Sequence, residues 1–187
     1  IVQSSLDSAI LRCDIILSKC QKKGNGWCPP ASMQRYERSD REWNRSENYY
    51  PGDEYVDWVG VSLYNHGYVD GKAVWRWRSF DTLFLKTEPV KIYDAHKDKP
   101  FILAEYSSAE RDNPTAVGDK AQWIKDAFRD IKTKYGAIRG AVWFSADTRA
   151  RGGNEKDWRI DSSPQSLEAY RDAVSDAYFL GDMVFET

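Results

Sequence analysis

A chain of 187 residues, 41% of them hydrophobic, can bury one packed core and gives no grounds for two. Its net charge of -2 excludes the broad basic field that draws nucleic acid or acidic lipid. No run reaches the roughly 18 apolar residues of a membrane span, so neither a nucleic acid nor a membrane is an expected partner. Cys13, Cys20 and Cys28 are odd in number and lack C-x-x-C spacing, and His66 and His96 fall far downstream. No metal site and no cofactor is therefore expected.

In chain order, Leu6, Ile10, Cys13, Leu17 and Cys20 recur at steps of three and four and predict a helix over 5–22, closed by Gly24 and Gly26. A short strand remnant around Trp27 and a polar stretch over 33–48 follow. Tyr49-Tyr50-Pro51-Gly52-Asp53 is a turn signal ahead of a nearly continuous apolar run, which predicts a strand over 57–64 buried on both faces. Residues 66–86 read as a long aromatic loop containing Trp75-Arg76-Trp77-Arg78, and 90–96 as a short helix. A second buried strand is predicted over Phe101-Ile102-Leu103-Ala104-Glu105.

A helix over 119–134 then presents Trp123, Ile124, Ala127, Phe128 and Ile131 on one stripe. Ile138 to Phe144 is the third strand, and Ser163-Pro164 supplies an N-cap and first-turn proline for a last helix carrying Leu167, Tyr170 and Val174. Alternating strands and helices imply a parallel sheet, either doubly wound or a closed (β/α)₈ barrel. Eight tryptophans are more than a core of this size needs, and such density suits a surface that stacks on sugar rings.

Glu105 draws attention because it ends an apolar strand where a parallel sheet opens toward its ligand. It reads either as a surface carboxylate paired with a nearby Arg or Lys, or as a nucleophile or base. Tyr64 and Trp143 end the other two strands, so all three side chains are expected at one mouth. The two-tryptophan, two-arginine loop is better placed beside a sugar cleft than against single-stranded nucleic acid. Gly60-Val61-Ser62-Leu63-Tyr64 fails the nucleophile-elbow pattern at its fifth position.

The run from Tyr50-Pro51-Gly52-Asp53 through Val59-Gly60-Val61-Ser62-Leu63-Tyr64-Asn65 resembles the sixth strand and its approach in glycoside hydrolase family 26, the β-mannanase family. Ser79-Phe80-Asp81 and then Lys99-Pro100 through Glu105-Tyr106-Ser107 are similar to the approach to that family's seventh strand and the strand itself, which ends in the nucleophile. Asp119-Lys120, Trp123-Ile124, Ala141-Val142-Trp143-Phe144 and Asp157-Trp158 through Ser163-Pro164 complete the series, which covers about residues 49–178.

This resemblance implies the C-terminal half of a (β/α)₈ barrel, about strands 5–8, forming a single partial catalytic domain over 1–187. It implies a retaining, endo-β-1,4-mannanase-like hydrolase with Glu105 as nucleophile, Tyr64 as its hydrogen-bond partner and Trp143 in the floor of the sugar site. Where many relatives carry an acidic residue two before the tyrosine, this chain has Ser62, which leaves mannan, mixed-linkage glucan and xylan open as substrates. The acid/base glutamate is expected upstream of Ile1, and Glu37, Glu42, Glu47, Glu54 and Glu110 read as solvated carboxylates. A non-catalytic carbohydrate-binding remnant is the competing reading. Secretion is expected because polymeric mannan lies outside cells, and a half barrel standing alone would be expected to self-associate through its unpaired edges.

Overall fold

The structure is a computed structural model that describes residues 48, 50–67, 77–85, 88–110, 118–151 and 156–179. The helix expected over 5–22, the remnant near Trp27, the three cysteines, Glu37, Glu42, Glu47, Trp75 and Arg76 lie outside the described residues.

The elements are β1 (Val59–Asn65), α1 (Phe80–Leu85), α2 (Glu88–Ala95), β2 (Phe101–Ser108), α3 (Lys120–Thr133), β3 (Ile138–Trp143) and α4 (Pro164–Val174). The three strands form one sheet in the order β1-β2-β3, with both pairings parallel. Strand β1 begins two residues later than expected, leaving Trp58 38% exposed, and β2 runs three residues past Glu105. Helix α1 falls inside the stretch read as a loop. Its six residues are too few to form a helix on propensity alone, and it is held by burial of Phe80, Leu83 and Phe84.

Helices pack on one face of the sheet. Val59, Val61 and Leu63 of β1, Phe101, Leu103 and Tyr106 of β2, and Ile138 and Trp143 of β3 meet Phe84, Trp123, Ile124, Phe128 and Ile131 in a single core. Each such side chain, fully buried, contributes about 1.5–3 kcal/mol. The α3 stripe is the one its periodicity predicts. Its start is fixed by Asp119, whose side chain accepts from the Gln122 amide at 2.9 Å. Helix α4 begins as expected, with Ser163 accepting from the Ser166 amide at 3.2 Å ahead of Pro164. Its fully buried positions are the small residues Ser166 and Ala169, which let it lie close to its neighbours.

The expectation of strands buried on both faces is corrected by the structure. Ser62, Tyr64, Ile102, Glu105 and Val142 are only half-buried, because the described helices cover the opposite face. On this second face Ile102 fits between two glycines. A Cβ at Gly60 would stand 2.6 Å from its Cγ2 and 2.9 Å from its carbonyl oxygen, and one at Gly140 would stand 3.3 Å from its Cγ1.

Between Leu103 and Tyr106, strand β2 carries one residue more than either neighbour, while β3 has its own extra residue, Arg139, opposite Phe101 and Ile102. Val61 pairs with Leu103 but Ser62 with Glu105, and Leu103 pairs with Ala141 but Tyr106 with Trp143. Both ladders therefore slip at Ala104, as a β-bulge does. Unbroken alternation would put Glu105 on the face of Phe101 and Leu103. With the bulge, Tyr106 joins that helix-covered face and is 1% exposed, while Glu105 turns to the face of Ser62 and Tyr64.

Candidate functional site

At the C-terminal end of the sheet the Tyr64 hydroxyl donates a hydrogen bond to Oε2 of Glu105. The two side chains come from adjacent strands, and Ser62 is the Cα partner of Glu105 across the β1–β2 ladder. Tyr64 is fixed by three rings. Phe144 meets it edge-on at 5.7 Å, Trp158 meets it at 5.3 Å and 70°, and His66 lies at 6.1 Å. The ends of β1 and β2 are tied together by Asn65, which is 1% exposed and whose Nδ2 donates to Ser108 Oγ at 3.0 Å. The Asn65 Oδ1 accepts from the Arg78 amide at 3.1 Å, drawing the following loop back over the strand end.

Two of the three side chains predicted for the mouth meet there, and Trp143 does not. Its indole is 8% exposed and packs among Tyr106, Trp123 and Tyr170 on the helix side of the sheet. The alternation of β3 gives the reason, since Trp143 pairs with Tyr106, which lies on the helix-covered face, and the next residue, Phe144, is the one that turns to Tyr64. The expectation that Trp143 floors a sugar site is corrected accordingly.

Trp158 is a residue to which sequence reasoning gave no role. The loop after β3 folds back on itself, with the Trp158 amide donating to Ala146 at 2.9 Å and the Thr148 amide to Lys156 at 3.0 Å. Trp158 is thereby buried at 3% exposure, and its Nε1 donates to Thr148 Oγ1 at 3.1 Å. Its carbonyl accepts from Trp143 Nε1 at 2.9 Å and from Ser107 Oγ at 3.2 Å, so one peptide clamps β2 to β3. An ion-pair cluster flanks it. Arg159 meets Asp157 at 2.7 Å, and Arg149 meets Asp147 at 2.6 Å and Asp157 at 3.2 Å. Hydrogen bonding from Arg159 holds the Asp157 carboxyl below the usual range. The only signal for this arrangement in the sequence is the alternation of Asp and Arg around Trp158.

His66 lies edge-on to Trp158 at 5.0 Å and 87°. Burial, reinforced by the Lys156 ammonium, pushes its pKa down to about 4, so the imidazole is neutral at ordinary pH.

Of the other carboxylates, Glu54 is exposed, ahead of the start of β1. Glu110 is not the freely solvated group expected. It accepts from Ser162 Oγ at 2.5 Å and Ser166 Oγ at 3.2 Å, and lies 4.0 Å from the Lys120 ammonium. The sequence offers Ser163 as the helix cap and gives no hint that its neighbours Ser162 and Ser166 receive a carboxylate from the loop after β2.

No family profile matches the chain. Endoglucanase H of Acetivibrio thermocellus is 40% identical over 126 residues, which is 67% of this chain and 12% of that protein. This chain is related to a glycoside hydrolase. It spans about an eighth of its relative's length, and the match does not single out family 26 or mannan. A family 128, subgroup I endo-β-1,3-glucanase from Amycolatopsis mediterranei, solved with laminaritriose, superposes with a TM-score of 0.36 and 17% identity over 63% of this chain and 45% of that one. A substituted form of the same enzyme, solved with laminaripentaose, gives a TM-score of 0.36 and 16% identity over the same shares.

Proposed function

We propose that this chain carries the nucleophile side of a retaining β-glycosidase site, with Glu105 as nucleophile, in an arc of a (β/α)₈ barrel. The observation that carries the reading is the Tyr64–Glu105 hydrogen bond at the C-terminal end of a parallel sheet, where enzymes of barrel type place their chemistry. The described helices lie on one face, with Tyr64, Glu105 and Phe144 on the other, which supports a barrel arc over a doubly wound sheet. The ordered motifs support family 26 within the glycoside hydrolases.

In the first step one Glu105 oxygen attacks the anomeric carbon as the bond to the leaving oxygen breaks, and a general acid protonates that oxygen. In the second step water displaces Glu105 and gives its proton to the same acid group, now acting as base. Tyr64 holds the other carboxylate oxygen, so the attacking lone pair keeps one direction. Glu110 is engaged with Ser162, Ser166 and Lys120, which favours a general acid from outside the described residues.

For the substrate, the name of the 40% identical relative favours a β-glucan over the mannan first expected. Ser62 agrees with a changed sugar contact, because it stands beside Glu105 at the position where many family members carry an acid. Such a polymer lies outside cells, and secretion is proposed on that ground.

The test uses 2,4-dinitrophenyl glycosides of 2-deoxy-2-fluoro glucose and mannose, whose leaving group needs little protonation and whose glycosyl-enzyme hydrolyses slowly. The expected result is a covalent label on the peptide containing Glu105, formed faster with the gluco probe and absent in Glu105→Gln. A label elsewhere, or none on folded protein, overturns the nucleophile assignment. Faster labelling by the manno probe overturns the substrate assignment alone.

A further inference from the structure

Lys120 is a buried cation outside the site described above, and its position runs against simple electrostatics. It is the first residue of α3, where the helix dipole disfavours positive charge, and its side chain is fully buried. A buried ammonium is costly unless its donors are met. Two of its three donors are met by one segment. The Nζ donates to the Arg159 carbonyl at 2.6 Å and to Ser162 Oγ at 2.7 Å, while Ser162 in turn donates to Glu110.

The groups whose charges act on Lys120 are Glu110, Asp157, Arg159 and Asp161. It also stands 5.8 Å from the Trp143 ring centroid. Arg159 directly follows Trp158, whose carbonyl is held by Ser107 and Trp143 and whose ring sets Tyr64. The contacts therefore form one line, from Lys120 through the 159–162 backbone to Trp158, Tyr64 and Glu105.

We infer that Lys120 is a positioning residue for Glu105, acting through the loop after β3 and the Trp158–Tyr64 contact. The inference deepens the proposed site, and its test needs no turnover. The full chain is labelled with ¹³C at glutamate side-chain carboxyls, and the chemical shift of the Glu105 resonance, identified by its loss in Glu105→Gln, is read at neutral pH.

Tyr64→Phe removes the hydrogen bond to the Glu105 carboxylate, so this resonance should move. Lys120→Met and the charge-neutral Ser162→Ala should move it the same way by a smaller amount. Combined with Tyr64→Phe, each should add nothing, because the route runs through Tyr64. Should Lys120→Met fail to fold, Ser162→Ala decides alone. A wild-type Glu105 resonance in Ser162→Ala, or a shift that persists undiminished in the Tyr64→Phe background, would overturn the inference. The Glu105 resonance can respond as expected without Glu105 being a nucleophile, so this result and the labelling result fail independently.

Discussion

At the scale of single residues, Glu105 and Tyr64 are legible in the sequence because their chemistry is out of place: a carboxylate and a phenol end runs that are otherwise apolar. Their partners are not legible. Trp143 and Phe144 are adjacent aromatics, and choosing which one faces the site requires the phase of β3, which a one-residue slip inverts. Trp158 meets Tyr64 only through a loop that folds back by its own backbone pairing. Ser62 gives a prediction at this scale. It is the cross-ladder partner of Glu105, so Ser62→Asp would set a like charge beside it. The Ser62→Asp chain should be less stable at neutral pH than the uncharged Ser62→Asn chain, by about 1 kcal/mol or more. Equal urea midpoints would mean that the two side chains do not share a face. His66 adds a second prediction. Its pKa is about 4 in the folded chain against an ordinary 6.5, so below pH 6.5 the unfolded chain takes up the proton first. Stability should therefore fall as pH drops from 6.5 to 4, and His66→Phe should flatten that slope in urea titrations.

At the scale of elements, the hydrophobic stripe of α3, the cap of α4 and the existence of all three strands follow from periodicity and turn chemistry. What does not follow is the bulge at Ala104. Phe101-Ile102-Leu103-Ala104-Glu105 carries no glycine or proline to mark it, and the slip is visible only against two neighbouring strands. It nevertheless decides the site, since regular alternation would send Glu105 among the core side chains. Deleting Ala104 should restore that alternation and force either a buried carboxylate or a shifted strand. We expect a loss of about 3 kcal/mol or more of stability, on the scale of an uncompensated buried charge, together with loss of labelling at Glu105. Full stability and labelling in the deletion variant would show that the extra residue does not aim the side chain. Gly60→Ala checks the packing beneath the site. The added methyl would meet the Ile102 carbonyl oxygen at 2.9 Å, and overpacking against backbone costs about 1–3 kcal/mol, to be read as a lowered urea midpoint with unchanged slope.

At the scale of the whole molecule, the described helices cover one face of the sheet, which explains why composition misled about burial. Strands rich in Val, Leu and Phe read as covered on both faces, yet glycine, serine and tyrosine take the alternate positions of β1, and these mark an open face. Buried polar groups gather at the strand ends and in the loop after β3, Asn65, Ser107, Ser108, Thr148 and Asp157 among them, and Lys120, bonded to that loop, is a determinant of global stability. Burial pushes its pKa down to about 8, against 10.5 for an ordinary lysine, although Glu110 and Asp157 pull the other way. Between pH 8 and 10.5 the unfolded chain therefore binds more protons than the folded one, and the Lys120 contribution to unfolding free energy rises with pH, by at most about 3 kcal/mol. Tyr135 opposes this only at higher pH, because burial and its hydrogen bond to Asp81 raise its pKa. Urea unfolding at pH 7, 8, 9 and 10 should show the midpoint of Lys120→Met gaining less, relative to pH 7, than that of the wild-type chain. Parallel curves for the two proteins would mean that Lys120 titrates as an ordinary surface lysine and that the loop after β3 is not closed over it.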